Sequence, residues 1–127
     1  MKITGIDMRV MYNSGNKLRG IVGMTIEDMF AIHDMKIIEG DEGYFLAMPS
    51  RRVNKDNFAD ICHPVNSKVR ESLERLVFDI YEKVRDKGLY RVIYQLAEDK
   101  QDMTLFDVSV EDFDEVRYLD NYEGSDD

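Results

Sequence analysis

One stretch of this chain repeats its apolar residues at helical spacing, and it points to a fold in which one long helix covers a sheet. Val69, Leu73, Leu76, Val77, Ile80 and Val84 recur at steps of four, three, one, three and four. That spacing makes an apolar stripe about five turns long. Pro64 lies just before the stripe, and Ser67 is placed to accept a bond from a free backbone N–H as N-cap. Lys83, Arg85 and Lys87 occupy the last turns, where cations suit the helix dipole, and Gly88 is a natural stop. The opposite face carries Lys68, Glu71, Arg75, Asp79 and Glu82.

Ahead of the helix the pattern changes to a period of two. Ile6, Met8, Val10 and Tyr12 alternate with Asp7, Arg9 and Met11, as in a half-buried strand. Asn13-Ser14-Gly15-Asn16 is a turn, after which Leu18, Val22, Met24 and Ile26 continue on even positions. Two such runs around a Gly-containing loop predict an antiparallel hairpin. A third strand is expected over about 29–38 and a fourth over 44–48, ended by Pro49, which has no ladder donor. Arg51 to Asn57 reads as a charged loop leading to a short segment, Phe58 to Cys62. After Gly88, Leu89–Ala97 and Thr104–Val110 have β character and read as a second hairpin. A helix continued through Leu96 is the competing reading, and after Asp114 the chain reads as loose. The fold class is therefore α+β: an antiparallel sheet of four to five strands against one long helix, with a C-terminal extension. Residues 1–88 form the domain and residues 89–127 the extension.

A chain of 127 residues suits one domain with a modest core. It has no apolar run long enough to span a membrane and no basic-then-apolar leader. Its one cysteine, Cys62, cannot form an intrachain disulfide. These features fit a cytoplasmic protein. The net charge is −9, but it is unevenly placed. Residues 98–127 hold twelve acidic residues against Lys100 and Arg117, while residues 1–97 are close to neutral. Such a tail is a solvated extension, or a competitor for any basic patch on the body.

Candidate chemistry is sparse. His33-Asp34 could pair a base with a carboxylate, but neighbours on a regular strand point to opposite faces. Cys62-His63 lacks the converging ligands of a metal site and the facing geometry of a nucleophile pair. Cys62 reads as a small packed residue, and His63-Pro64 as the shape of the turn into the helix. No phosphate loop, nucleophile elbow or zinc-protease motif occurs. No catalytic residue, metal ligand or cofactor is therefore assigned, and the chain reads as a non-enzyme. An enzyme using His33 or His63 is the weakest alternative.

The segment from His33 to Ser67 carries a denser pattern. His33-Asp34, Ile38-Glu39-Gly40, Gly43 and Phe45 are followed by Ala47-Met48-Pro49-Ser50-Arg51-Arg52. Phe58, Asp60-Ile61, His63-Pro64 and Asn66-Ser67 come next. In order and spacing these residues resemble the stage V sporulation protein G (SpoVG, septation regulator) family. The resemblance covers roughly residues 1–88 and is strongest over 31–67. It implies a small nucleic-acid-binding regulator of septation, cell division or sporulation. It further implies a homodimer built through sheet strands. Three departures are visible. The family's Pro-Asp-Gly-type turn is replaced by Val53-Asn54-Lys55-Asp56-Asn57, Ala59 stands where a cation often follows the Phe, and the acidic C-terminal tail is the third.

The residues themselves offer one basic constellation. Arg51, Arg52 and Lys55 lie in one loop, Lys68 and Arg70 open the helix, and Arg75 follows. Folded together, these cations and the free N–H groups of a helix start would suit phosphate oxygens. Asp56, Asp60, Glu71 and Glu74 interleave with them, as on an ordinary solvated face. The resemblance places the family's contact region at the basic pair and the helix start. The expected partners are thus DNA or RNA and a second copy of the chain, with a contact between the acidic tail and the basic patch. A protein-interaction module of the division machinery, without nucleic acid, is the alternative.

Overall fold

The computed structural model describes residues 1–119. Its order is β1 (Ile3–Val10), β2 (Leu18–Ile26), β3 (Phe30–Gly40), β4 (Gly43–Ala47), β5 (Ser50–Asn54), β6 (Asn57–Asp60), α1 (Ser67–Asp86), β7 (Arg91–Leu96) and β8 (Phe113–Leu119). The main sheet has six strands in the order β4-β3-β2-β1-β7-β8, and every pairing is antiparallel. β5 and β6 form a separate two-stranded ribbon. The α+β class holds, and the sheet is wider than the four to five strands expected. Among the described residues no helix is long and apolar enough to cross a membrane.

Of the even-numbered side chains in the expected alternation, Ile6, Met8 and Val10 of β1 and Val22 and Met24 of β2 are buried, while Tyr12, Leu18 and Ile26 are half-buried. Val92, Tyr94 and Leu96 of β7 are buried with them. They pack in one core with Leu73, Leu76, Val77, Ile80, Tyr81 and Val84 of α1. Gly20 fits between its own sheet neighbours, since a Cβ there would lie 3.1 Å from the Ile37 side chain and 3.3 Å from the Arg9 carbonyl oxygen, both tighter than ordinary contact.

The helix ends follow capping chemistry. Asn66, not Ser67, is the N-cap: its Oδ1 accepts the Val69 N–H at 2.9 Å. Both residue types can cap, and one position decides which backbone N–H groups lie in reach. At the other end Gly88 adopts φ +71°. Its N–H donates to Arg85 O, and the Leu89 N–H donates to Val84 O. This paired closure stops the helix and excludes its continuation through Leu96.

The C-terminal third departs from expectation in its second strand. β7 occupies part of the stretch expected to be extended, and it pairs with β1 in the middle of the sheet. Residues 104–110 are not a strand. Thr104 Oγ1 donates to Asp107 Oδ2, and a capping box joins Ser109 and Asp112. Short polar side chains here bond locally and compete with a ladder. Leu105, Val108 and Val110 still bury themselves, so the apolar alternation reflects packing of a looped segment. The strand lies later, at β8, in a stretch expected to be loose. The rest of that stretch, 120–127, lies outside the described residues.

Tyr12, Tyr44 and Tyr81 gather near the end of α1, where Tyr44 and Tyr81 meet edge to face. The Tyr12 hydroxyl donates to Leu89 O at 2.8 Å. Burial, with a hydrogen bond to Tyr44, pushes the Tyr81 phenol up to about 12. Burial also raises Tyr12.

Two predictions follow from these ends and this cluster. Asn66→Ala should lower stability by about 1 kcal/mol and Ser67→Ala by much less, read from urea midpoints. For Tyr81, the folded state holds its proton to higher pH than the unfolded chain. Its contribution should be complete below pH ~10 and lost as pH rises toward ~12. Tyr81→Phe should flatten that alkaline fall, followed by circular dichroism in urea.

Candidate nucleic-acid interface

The expected loop at 51–57 is a β-ribbon. Ser50 pairs with Asp60, Arg51 with Ala59 and Arg52 with Phe58, and a turn at Asn54–Asn57 joins the strands. Asn54 Oδ1 closes the turn by accepting from the Asp56 N–H and from Asn57 Nδ2. Every residue of β5 is exposed. Sequence reading missed this because the stretch is short, polar and without clear alternation.

Strand geometry separates the basic pair. Arg51 and Arg52 are neighbours on β5, so they face opposite sides of the ribbon. Arg52 shares its side with Phe58, and its guanidinium lies 5.4 Å from the ring centroid. Lys55 sits at the ribbon tip, in the turn. Lys68, in the first turn of α1, lies 4.5 Å above the Phe106 ring. Among the described residues Arg51, Arg52, Lys55 and Lys68 form no ion pair with a carboxylate.

The other two cations are engaged within the fold. Arg70 Nη1 donates to Leu46 O at 3.1 Å and lies 3.4 Å from Glu74 Oε2. The same Glu74 oxygen accepts the Leu46 N–H at 3.1 Å. Together they satisfy the outward backbone groups of Leu46 on the edge strand β4. Arg75 Nη2 donates to Leu105 O at 3.3 Å and ties down the segment after β7. The structure thus groups Arg51, Arg52 and Lys55 on the ribbon and sets Lys68 apart on the helix. Two aromatic members, Phe58 and Phe106, were not among the expected site residues. The Arg-x₅-Phe spacing across a turn was the available signal for Phe58; for Phe106 there was none.

Between the helix start and the sheet runs an apolar groove of about 370 Å³. Ile26, Ile32, Met48, Cys62, Val65 and Phe106 are among its walls. Cys62 is half-buried there, and His63 Nδ1 lies 3.0 Å from Pro64 O within the turn to the helix.

His33 and Asp34 need a correction. Val22 pairs with Met35 and Met24 with Ile32, so Gly23 alone faces both residues. This β-bulge, with Asp34 at φ +67°, suspends the opposite-face rule. Both residues line one shallow depression with Asp7 and Arg9. Asp7 is already held by Arg91 through two bonds, at 3.1 and 2.8 Å. Among the described residues no cluster of three or more metal-binding side chains occurs.

The acidic segment is partly placed. Glu115 pairs with Lys87 and Asp112 with Lys100, at the far side of the sequence from the ribbon cations. Residues 120–127 of the expected tail lie outside the described residues.

The sequence model of the SpoVG family matches residues 1–83. The chain belongs to the SpoVG family. It is 43% identical over 83 residues to a septation protein SpoVG of Lachnospira eligens, covering 65% of this chain and 93% of that one. A SpoVG septation protein of Clostridium perfringens is 43% identical over 86 residues, 68% of this chain and 94% of its own. That of Clostridioides difficile is 45% identical over 83 residues, 65% and 89% of the two chains. The SpoVG family match takes in β1 to β6 and most of α1. β7 and β8 lie beyond it, although they complete the same sheet.

The two classes of cation should separate in a stability assay. Arg70→Ala leaves the Leu46 carbonyl without its donor and should cost about 1 kcal/mol, the exposed ion pair adding little. Arg51→Ala, Arg52→Ala and Lys55→Ala should each stay within ~0.5 kcal/mol of the parent in urea titrations.

Proposed function

We propose that this SpoVG-family protein is a nucleic-acid-binding regulator of septation and sporulation, acting as a homodimer through its sheet. The observation that carries the reading is the exposed β5–β6 ribbon, whose Arg51, Arg52 and Lys55 pair with no carboxylate among the described residues. A two-stranded ribbon has the width to enter a major groove. Its two faces then serve different contacts. Arg52, stacked on Phe58, faces one way and Arg51 the other, so one can meet bases while the other meets phosphate. Lys68 at the helix start adds a phosphate contact. In this reading Arg70 and Arg75 hold the scaffold that positions the ribbon. The acidic segment from residue 98 onward repels nucleic acid and competes for the ribbon cations, an effect that reaches over about 8 Å at physiological salt.

A protein-interaction role in division is the second reading. It is favoured by the net charge of −9 and by the exposure of Phe58, Ile61 and Val65 around the ribbon.

Gel shifts on mixed-sequence DNA and RNA at several salt concentrations separate the two. The parent should bind with a steep salt dependence. Arg51→Ala with Arg52→Ala should weaken binding and reduce the slope by about one unit per lost phosphate contact. Neutralising Asp114, Asp120, Glu123, Asp126 and Asp127 to amides, with Asp112 and Glu115 left to their lysines, should tighten binding, most clearly at low salt. Unchanged affinity in the double variant would remove the ribbon from consideration. No binding by the parent or by the neutralised variant would favour the protein-interaction reading.

A further inference from the structure

The ribbon holds an aromatic ring out in solvent. Phe58 of β6 stands across from Arg52 of β5, and 62% of it is exposed even with the guanidinium 5.4 Å from its ring centroid. Core packing therefore does not explain a phenylalanine at this position. Its surroundings are cationic: Arg51, Arg52 and Lys55 lie on the same hairpin and pair with no carboxylate among the described residues.

The two sides of the ribbon differ in chemistry. Pairing of Ser50 with Asp60 and of Arg52 with Phe58 puts these four residues on one side. Arg51 and Ala59 lie on the other. The first side joins a ring, a guanidinium and a carboxylate. Asp60 disfavours a phosphate there and suits the amino group of a base, which is a donor. The second side has a cation beside a small residue, with room for a phosphate.

Proteins that hold single strands combine the same two elements. Bases stack on aromatic rings and guanidinium planes, while cations follow the backbone. In an intact duplex the neighbouring pairs cover both faces of every base, so a ring entering a groove meets base edges only. A base presents its face in a single strand, a loop or a bulge.

We infer that Phe58, with Arg52 beside it, is a stacking platform for an unpaired base, and that the ribbon binds single-stranded nucleic acid more tightly than duplex. This rests on the nucleic-acid reading above and specifies the form of ligand that the same ribbon takes. Arg51 and Lys55 hold the phosphates on either side of the stacked nucleotide. Every base has a π-face, so the contact tolerates many sequences.

The chain contains no tryptophan, which supplies the probe. In the full-length Phe58→Trp variant, a short mixed-sequence single-stranded oligonucleotide should quench the indole emission to saturation. The same strand annealed to its complement should bind more weakly and quench little. Phe45→Trp, at an exposed ring on β4, should not respond to either. In gel shifts Phe58→Leu should weaken single-strand binding about tenfold. Its salt dependence should keep the parent slope, because no phosphate contact is lost, whereas Arg51→Ala should flatten it. A flattened slope in Phe58→Leu would make the ring a support of the ribbon and overturn the platform. Parent-like affinity in Phe58→Leu, or no quenching in Phe58→Trp, would overturn it too, and the nucleic-acid reading would stand. Equal affinity for strand and duplex would overturn the single-strand preference. A parent that binds neither form overturns both readings.

Discussion

The structure depends on one packing event, the burial of the α1 stripe against the inward face of β1, β2 and β7. Leu76, Val77, Ile80 and Val84 are completely buried, and so are Met8, Val22 and Val92 beneath them. At roughly 25 cal/mol per Å² of apolar surface removed from water, this layer is the dominant favourable term available to the domain. It also sets positions elsewhere. The helix reaches the edge strand through Arg70 and Glu74, and it reaches the segment after β7 through Arg75. Charged side chains at the helix start are therefore divided between joining layers and facing solvent.

The ribbon is what this scaffold leaves over. Pro49 and the bulge at Asp34 stop β4 from running on beside β3, so the chain doubles back on itself instead. A two-stranded hairpin on its own is marginal in water, and this one has no helix beneath it. The Arg52–Phe58 stack and the Asn54 turn bonds are its local supports. The same two features leave the outer edge of β3 from Phe30 to Asp34 without a strand beside it among the described residues.

Charge explains why composition misleads here. A chain of −9 suggests a poor partner for phosphate. Where the carboxylates lie alters that picture: Asp112 and Glu115 are paired with lysines beside the C-terminal strands, while the ribbon cations meet no carboxylate among the described residues. Net charge governs approach at long range, and local pairing governs what a ligand meets on contact.

The sequence by itself determined the elements whose side chains repeat with a clear period. The α1 stripe, the even-numbered core of β1 and β2, and the Gly88 stop were legible because burial on one face imposes that period. The family was legible from the order of residues between His33 and Ser67. Tertiary structure decided the rest. The ribbon carries no buried face, so no apolar period announces it. β8 carries Asp114, Glu115 and Arg117 with no clear apolar period, and only pairing with β7 makes it a strand. Residues 104–110 alternate, yet local side-chain bonds hold them in turns. His33 and Asp34 share a side only because Gly23 faces both of them across the bulge. Arg70 and Arg75 looked like Lys68 in sequence; which backbone carbonyl each one meets is set by how the helix lies on the sheet. Periodicity records burial along one element, whereas pairing partners depend on segments far away in the chain, and these came only with the fold.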